Sequence, residues 1–596
     1  MKLRNTKGSR YFVAAALVAL IATSLPPYPD AAAARVDASR SKNQTASSSR
    51  LTVDPDAIVF TLHEHNGGIG CRDATTEEAT IFRERDPNMR LHRISPEQRF
   101  NLSMEGEGLQ IILRATDQLE GFPAAKEAFL RAAGIWEGVI QNAITIVIDV
   151  DFGPQFFGTQ FGNGVLGATS MSTVGSDNFY PQARTSLLNS ASSDQEAAIY
   201  NLLPQGTVPT DIGSTARVFT AAPTLRAIGE LPAVADPDAE EAQLGPPPRI
   251  GFNSNVSFDF DPSDGIDPNQ IDFEAVATHE IGHALGFSSS VGRRELNPNS
   301  AISLTLWDLF RFRPRTAQNA FSTAQRVLAS GGEQRFVAAG LEVPVSTGRP
   351  DGNGGDGNQA SHWKADELTG RYIGIMDPTV ARGQREVITS HDLIALETFG
   401  YKITAGTNKT AESGDFFGVI TGDNLTITGA VADFDGDVAQ AQIQLLGSFG
   451  QPINLPVQFP LASGGFAISG FELNLFGLNQ LPDASQARIT VTDGGGGQGT
   501  SVTASILLGD LGGPTVSAIN YNNGKKLVVK GDGFVAGVQV EINGVVVAPP
   551  ININVKPTGK KMKIKGNMAA LNLHLGSNRV RVIVNGLRSD IFILNL

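Results

Sequence analysis

Two histidines, His279 and His283, flank Glu280 in a stretch that reads HEIGHALGF. On an α-helix, positions i and i+4 lie on one face, one turn apart, so both imidazoles could reach a single Zn²⁺. The carboxylate between them could then take a proton from a water molecule at the metal. The stretch predicts a metal-dependent hydrolase. Its alternative is a pair of surface histidines on an ordinary helix.

The residues around this stretch favour a helix with defined ends. Asp272 is suited to cap the N-terminus, and Gly286 stands where a helix often ends in a left-handed conformation. Apolar residues recur at helical spacing at Phe273, Ala277, Ile281 and Ala284. We therefore expect a half-buried helix with the histidines in its last turns.

Catalytic zinc needs a third protein ligand and one open position. The compact spacing HExxHxxGxxH would place that ligand at Ser289, which is a poor zinc ligand. His63, His65 and His92 lie far upstream, and His574 lies in a separate C-terminal segment. The remaining candidates are His362, His391, Asp308, Glu367 and Glu397. His362 is the best of them, because it follows a Gly/Asp/Asn-rich loop and precedes the short apolar segment Gly374–Pro378.

The combination of HExxHxLGF, a long insertion, Ser361-His362-Trp363-Lys364 and a methionine turn resembles the leishmanolysin-type metzincin proteases, over roughly residues 270–402. The resemblance implies that His279, His283 and His362 bind zinc and that Glu280 is the general base. It also implies that Met376 lies beneath the metal. The disulfides of eukaryotic members are absent, so the likeness covers the catalytic core and is nearer to a bacterial branch.

Three alternatives remain open at this stage. His362 could be a loop histidine that caps a turn. His391 follows Ser390, a plausible N-cap, and a histidine in that first turn is expected to be solvated. Glu397 could instead supply a carboxylate from a downstream helix, as in gluzincin-like sites.

Cys71 is the single cysteine, so the chain has no intramolecular disulfide. Thiolate is a strong zinc ligand, and Cys71 lies upstream of the predicted catalytic core. One hypothesis is a cysteine switch, in which this thiolate fills the open metal position and silences the enzyme. The alternative is an inert cysteine.

The N-terminus has the pattern of a signal peptide over residues 1–34, with basic residues first, then an apolar run over Tyr11–Leu25, then four alanines. The mature protein is therefore expected to be secreted. Residues 35–105 are expected to be an N-terminal, pro-segment-like region. Within it, residues 57–62 predict a strand, and His63 and His65 are expected on an exposed edge.

Residues 106–402 predict an α+β, metzincin-like catalytic domain: a twisted sheet plus the zinc-binding helix. Strands are predicted at 109–113, 144–150 and 249–260, with a helix at 123–142. An edge strand of this sheet would hold an extended peptide by backbone pairing. Structural Ca²⁺ is a further hypothesis at the aspartates of 259–267, at 351–358 and at 433–437, against the alternative of plain solvated turns.

After Tyr401, short alternating runs between Gly/Asn/Asp turns predict two all-β, immunoglobulin-like sandwiches, over 413–510 and 514–596. The second resembles modules of the IPT/TIG kind. The net charge of −13 argues against general nucleic-acid binding, but residues from Thr515 onward carry +8. That segment could contact an anionic cell surface or polysaccharide, or its lysines could be an ordinary solvated face.

Together these features predict a secreted, monomeric zinc endopeptidase that acts on protein or peptide substrates. The main rival is a surface adhesin with a degenerate metalloprotease scaffold, and a site closed by four protein ligands would favour it. A zinc hydrolase acting on something other than peptides is the second rival.

Overall fold

In the computed structural model the chain is a mixed α/β protein with many sheets. The structure describes residues 21–22, 51–95 and 108–404, apart from 55–57, 85–88, 233, 235–236, 318–319 and 350–353. It also describes 411–596 apart from 422–423, 434–437, 447–451, 453–455, 460–467, 476–485, 494–500, 509–513, 523, 548–550, 586 and 590–591. The predicted signal peptide lies outside the described residues, except for Ile21–Ala22. Two of the proposed calcium segments, 351–358 and 433–437, lie partly outside them.

An eight-stranded sheet forms the centre of the first 400 residues. Its strands, in spatial order, are Thr379–Val380, Gly68–Asp73, Ile58–His65, Val165–Met171, Arg249–Asn253, Thr145–Gly153, Gln110–Thr116 and Leu91–Arg93. Three of them, 110–116, 145–153 and 249–253, run parallel, and 165–171 runs antiparallel to its neighbour 249–253. Strand 145–153 is β-branched and buried along nearly all its length, as expected for a central parallel strand.

Two helices cover one face of this sheet. Pro123–Val139 packs against Phe273–Leu285, and the ring centroids of Phe129 and Phe273 are 5.0 Å apart. The indole Nε1 of Trp136 donates a 2.9 Å hydrogen bond to the carbonyl of Thr278. This contact fixes the position of the histidine-bearing helix relative to helix Pro123–Val139.

The remaining helices of the described residues are short. They are Thr76–Arg83, Tyr180–Ser190, Asp194–Asn201, Ala222–Ala227, Pro237–Leu244, Arg293–Leu296, Asp366–Thr369 and Ser390–Thr398, with 3₁₀ turns at Leu119–Gly121 and Trp307–Phe310. None of the helices in the described ranges has both the length and the apolar character needed to cross a bilayer.

Smaller sheets surround the central one. They pair Thr52–Val53, Thr173–Ser176 and Val218–Ala221; Val208–Thr210 and Gly213–Thr215; Phe258–Asp259 and Ile271–Asp272; Arg311–Phe312, Arg335–Ala338 and Leu341–Pro344; and Gln155–Phe156 with Thr159–Gln160.

The N-terminal segment belongs to the central sheet. Strand 58–65 pairs with 165–171 on one side and with 68–73 on the other, so it is an interior strand. The expectation that His63 and His65 occupy an exposed edge is therefore wrong. The partner strands come from distant or later sequence, which alternation within 57–65 could not reveal.

The C-terminal segment is all β in its described residues. The strands between 412 and 508 form one nine-stranded sheet together with Ile21–Ala22. Their spatial order is 21–22, 468–475, 424–432, 416–421, 501–508, 486–493, 438–446 and 457–459. Strand 412–413 also pairs with 424–432. From 515 two sheets share one apolar core. One contains 515–522, 526–532, 561–565 and 553–555, and the other contains 545–546, 539–542, 577–584, 587–588 and 592–595.

Candidate metal centre

The HEIGHALGF stretch lies on the predicted helix. The carboxylate of Asp272 accepts a 3.0 Å hydrogen bond from the backbone N–H of Ala275, and Gly286 ends the helix at a φ of 123°. Both predicted ends are therefore confirmed. The expectation of a half-buried helix is wrong, because every residue from Phe273 to Leu285 is buried. Helix Pro123–Val139 packs against it, and segments after residue 300 add contacts such as that of His279 with the carbonyl of Ile375.

Three histidines meet at this helix. The Nε2 atoms of His279 and His362 are 3.0 Å apart, and the ring centroid of His283 lies 4.9 Å from that of His279 and 4.8 Å from that of His362. All three side chains are more than nine-tenths buried. The third ring comes from a residue 79 positions after His283, as the sequence analysis predicted.

Backbone carbonyls fix the orientation of each ring. Nδ1 of His279 lies 2.7 Å from the carbonyl of Ile375, Nδ1 of His283 lies 2.7 Å from that of Phe287, and Nδ1 of His362 lies 2.8 Å from that of Gln359. A carbonyl only accepts, so each Nδ1 carries the proton and donates it. Each Nε2 is therefore left with a lone pair, which is the form that binds metals.

The electrostatics of the three rings fit a cation. Burial lowers the pKa of His279 to about 4 and lowers those of His283 and His362 well below the usual value, so all three rings are neutral. Nε2 of His283 is buried and has no hydrogen-bond partner among the described residues. Three lone pairs that converge in a dry site repel one another unless a positive ion lies between them. The residues present therefore fit a metal ion.

Cys71 joins this group. One ligand atom from each of Cys71, His279, His283 and His362 lies within 4.8 Å of every other, so the buried Cys/His₃ group could hold a metal ion. Cys71 lies on strand 68–73, and its backbone N–H donates a 2.7 Å hydrogen bond to the carbonyl of Pro378. Burial raises the pKa of its thiol well above the usual value, and the charge of Glu280 adds to the effect. Without a cation nearby the thiol therefore stays protonated.

Glu280 lies beside the same group with one free oxygen. Its Oε2 accepts a 2.5 Å hydrogen bond from the hydroxyl of Thr169, and its buried Oε1 has no hydrogen-bond partner among the described residues. Burial raises the pKa of Glu280 to about 7, and the bond from Thr169 opposes that rise. A buried carboxylate oxygen without a hydrogen-bond donor lowers the stability of the fold. Oε1 of Glu280 is therefore available to accept a proton or a hydrogen bond from a bound molecule.

Met376 lies directly beneath the helix. A side-chain carbon added to Gly282 would come within 2.5 Å of the sulfur of Met376, so glycine is required for this close approach. Asp392 holds the turn, because its Oδ2 accepts a 2.8 Å hydrogen bond from the N–H of Ile375. Met376 is fully buried and forms an apolar floor near the histidine cluster.

A buried arginine supports the loop that carries His362. Arg311 donates hydrogen bonds to the carbonyls of Ala360 and Ser346, the latter at 3.0 Å. The backbone N–H of Ser346 in turn donates a 3.0 Å hydrogen bond to the carbonyl of His362. Arg311, Asp392 and Thr169 were not predicted from the sequence. Nothing in their local sequence marks them, since each acts through contacts with residues far away in the chain.

The other candidate ligands have different partners. The hydroxyl of Ser289 donates a 2.6 Å hydrogen bond to Asp308, which keeps both away from the histidine cluster. His391 is 2% exposed and pairs with Glu412, so the expectation that it is solvated is wrong. The predicted N-cap Ser390 is also wrong, because the cap is Thr389 in a capping box with Asp392.

Two carboxylates considered as ligands also lie elsewhere. Glu367 pairs with His65 at 3.2 Å on the surface, and Glu397 lies 3.4 Å from the hydroxyl of Ser192. In the aspartate-rich turn before the helix, Asp259 accepts hydrogen bonds from the backbone N–H groups of Asp261 and Asp267, both at 2.9 Å. The carboxylate of Asp259 is thus hydrogen-bonded within its own turn. Within the described residues, Cys71 and the three histidines are the only cluster that could hold a metal ion.

Comparison with family models and with curated protein sequences found no match. The chemistry of the histidine cluster is therefore the basis for a functional conclusion.

Proposed function

We propose that the protein is a secreted zinc endopeptidase, made in a latent form in which Cys71 closes the metal site. The observation that carries this proposal is the convergence of three neutral imidazoles beside a carboxylate that has a free buried oxygen. Three histidines with an open fourth position are typical of catalytic zinc, and Zn²⁺ accepts both nitrogen and sulfur ligands. In this proposal His279, His283 and His362 bind the ion.

The proposed mechanism assigns one task to each group around the ion. Zinc held by His279, His283 and His362 would supply a Lewis acid, which could polarise a peptide carbonyl and make water a stronger acid. Glu280 accepts a proton from the attacking water at Oε1 and later donates it to the leaving amine. Thr169 holds the other oxygen of that carboxylate, which leaves Oε1 without a hydrogen-bond partner among the described residues.

The rest of the proposal follows the sequence resemblance. The first 400 residues are interpreted as a leishmanolysin-like metzincin domain with Met376 as its methionine-turn residue, followed by immunoglobulin-like modules, the last of the IPT/TIG kind. Support comes from the parallel sheet with an antiparallel strand beside it, the helix that carries HExxH, and the methionine under Gly282. Secretion, a monomeric state and a protein or peptide substrate belong to the same proposal.

Latency is supported by the position of the hairpin Ile58–Asp73. Its first strand pairs antiparallel with 165–171, and its second strand pairs with Thr379–Val380. The hairpin thus fills the space between the strand that carries Thr169 and the segment after Met376. An extended substrate would pair with that same strand by backbone hydrogen bonds. Removal of the hairpin would free both the strand and the fourth metal position.

A second candidate function rests on the same four side chains. Cys71 and three histidines form a complete tetrahedral donor set, which is typical of structural zinc, and such a site would suit a surface adhesin with a degenerate protease scaffold. The free oxygen of Glu280 argues against it, because a structural site gains nothing from an unpaired buried carboxylate.

The decisive test compares wild type with Glu280→Gln after limited proteolysis within residues 74–107, with zinc content and casein cleavage as readouts. We expect equal zinc in both proteins and a loss of at least about 1,000-fold in turnover for the variant. Glu127→Gln, an exposed substitution on helix Pro123–Val139, is the matched control and should cleave normally. Normal cleavage by Glu280→Gln would contradict the mechanism, and zinc without any cleavage in processed wild type would favour the structural candidate.

A further inference from the structure

The charge of the chain is concentrated unevenly. Residues 515–596 contain eight lysines and three arginines against three acidic residues, a net charge of +8, whereas residues 1–514 carry −21. The eight lysines all lie between 525 and 565. The basic character therefore belongs to one part of the last two sheets and does not reflect the chain in general.

Strand register places five of these lysines on one face. Lys526 lies opposite Lys565, and Lys530 lies opposite Lys561, in the antiparallel pair formed by strands 526–532 and 561–565. Lys563 lies between them, opposite Val528. The alternate residues of the same strands, Leu527, Val529, Met562 and Ile564, are buried in the apolar core. Lys526, Lys530, Lys561, Lys563 and Lys565 therefore share the outer side of the sheet, which we call the basic face.

The like charges of the basic face lower the stability of the sheet that carries it. Like charges directly opposite each other on neighbouring strands destabilise a sheet, and this face has two such pairs. Lys556, Lys526 and Lys561 lower the pKa of Lys563 through their positive charge. The nearest ion pair in the described residues, Lys560 with Asp532 at 3.7 Å, is exposed and uses a lysine outside the face. Asp532, the next alternate residue after Lys530 on the same strand, is the one acidic residue on this side of the described strands, so the face keeps an excess of positive charge.

The neighbouring strands add polar amide side chains. Asn554 lies opposite Lys563, Asn522 lies opposite Lys526, and Asn520 lies opposite Val528. Asparagine both donates and accepts hydrogen bonds, as recognition of sugar hydroxyls requires. Strands about 4.8 Å apart, with alternate residues about 6.8 Å apart, set the lysines on a regular grid.

We propose that the basic face binds an anionic polysaccharide, that is, an extended chain of sugars with repeated carboxylate or sulfate groups. Lysine serves as a point charge for either anion and needs no fixed geometry. A regular grid of ammonium groups with amides at its borders matches a polymer that carries charge and hydroxyls along its whole length.

The composition of the face argues against two other polyanions. Proteins that bind single-stranded nucleic acid present aromatic rings on which bases stack, and the residues of this face and its border include no aromatic ring. Surfaces that enter a lipid interface present large apolar side chains next to the basic ones. Val528, the apolar residue within this face, is 8% exposed.

Binding of full-length protein to immobilised polygalacturonate tests the proposal, with uncharged dextran as the blank. Wild type is compared with Lys563→Gln/Lys565→Gln and with a charge-matched control, Arg90→Gln/Lys402→Gln, whose residues are exposed and lie outside the last two sheets. We expect the face variant to bind at least about tenfold more weakly and with a shallower salt dependence, and the control to bind as wild type. The melting temperature of the face variant should not fall, because the substitution at Lys565 removes the like-charge pair with Lys526.

Three outcomes would overturn the proposal: no retention of wild type on polygalacturonate at about 50 mM salt, equal weakening in both double variants, or tighter binding to single-stranded DNA or to anionic phospholipid vesicles than to polygalacturonate. Zinc content and casein cleavage are measured on the same proteins. Both should be unchanged by the lysine substitutions, so this proposal and the proposed peptidase activity can fail independently.

Discussion

The indole Nε1 of Trp363 donates a 2.7 Å hydrogen bond to the carboxylate of Asp392, and this bond ties the residue after His362 to the helix that follows Met376. The same carboxylate accepts hydrogen bonds from the backbone N–H groups of Ile375 and Thr389, both at 2.8 Å. Asp392 therefore positions both the loop of the third histidine and the methionine turn. It is a positioning residue and does not itself touch the histidine cluster.

Asp392→Asn should weaken the metal site and the fold together. The new amide would turn one acceptor into a donor that faces the N–H groups of Ile375 and Thr389, at a cost of about 2–4 kcal/mol. We expect a lower melting temperature and faster loss of zinc to a chelator. Asp264→Asn, in an exposed turn, is the control. Unchanged stability and zinc retention in Asp392→Asn would show that the bonds do not position the site.

Cys71→Ala distinguishes a latent enzyme from a structural zinc protein. If the thiolate fills an exchangeable position, the unprocessed variant should keep its zinc on three histidines. It should also gain activity over unprocessed wild type on short peptides, which do not need the substrate strand that the hairpin still occupies. If Cys71 is a structural ligand, the variant should lose zinc and stability and gain no activity. Ile69→Ala, two residues away on the same strand and equally buried, controls for the cavity and should not activate the enzyme.

Zinc stoichiometry of His362→Ala beside His391→Ala tests the ligand set. Nε2 of His362 lies 3.0 Å from Nε2 of His279, whereas His391 pairs with Glu412 and lies outside the metal-type cluster. We expect bound zinc to be lost only in His362→Ala. Loss of stability without loss of zinc is expected for His391→Ala, because it removes one partner of a buried pair. Retained zinc in His362→Ala would remove the third ligand from the proposal.

The buried carboxylate of Glu397 predicts a pH-dependent stability. Burial, together with the charge of Glu196, raises the pKa of Glu397 to about 8. The unfolded chain ionises near the ordinary value of about 4.5. Between these two pH values Glu397 is protonated in the folded state and ionised in the unfolded state. The free energy of unfolding therefore falls as the pH rises toward 8.

Glu397→Gln removes that ionisation. It should therefore raise the free energy of unfolding at pH 9 by something on the order of 2 kcal/mol and change it little at pH 4. Urea unfolding at the two pH values measures the difference, with the exposed Glu64→Gln as control. An equal effect of Glu397→Gln at both pH values would contradict the assigned pKa shift.

Local sequence predicted the elements whose signals are local. The helix from Phe273 to Leu285 begins and ends where Asp272 and Gly286 indicated, because capping depends on residues within one turn. The same reason explains the correct prediction of the strands near 110, 145 and 249 and of the helix at 123. Their apolar periodicity depends only on residues that are close together in the sequence. The solvation of His391 and the exposed edge at His63 were predicted wrongly, because both depend on which distant segment covers them.

The sequence by itself determined the chemistry available: a pair of imidazoles four positions apart with a carboxylate between them, a single thiol, and a cluster of lysines near the C-terminus. Only the tertiary structure decided which groups meet. It brought Cys71 and His362 to the same helix, set Thr169 against Glu280, and placed Lys526 opposite Lys565. The physical reason is that sheet pairing and burial are non-local: a strand's partners depend on the whole chain, whereas side-chain type and helical spacing do not.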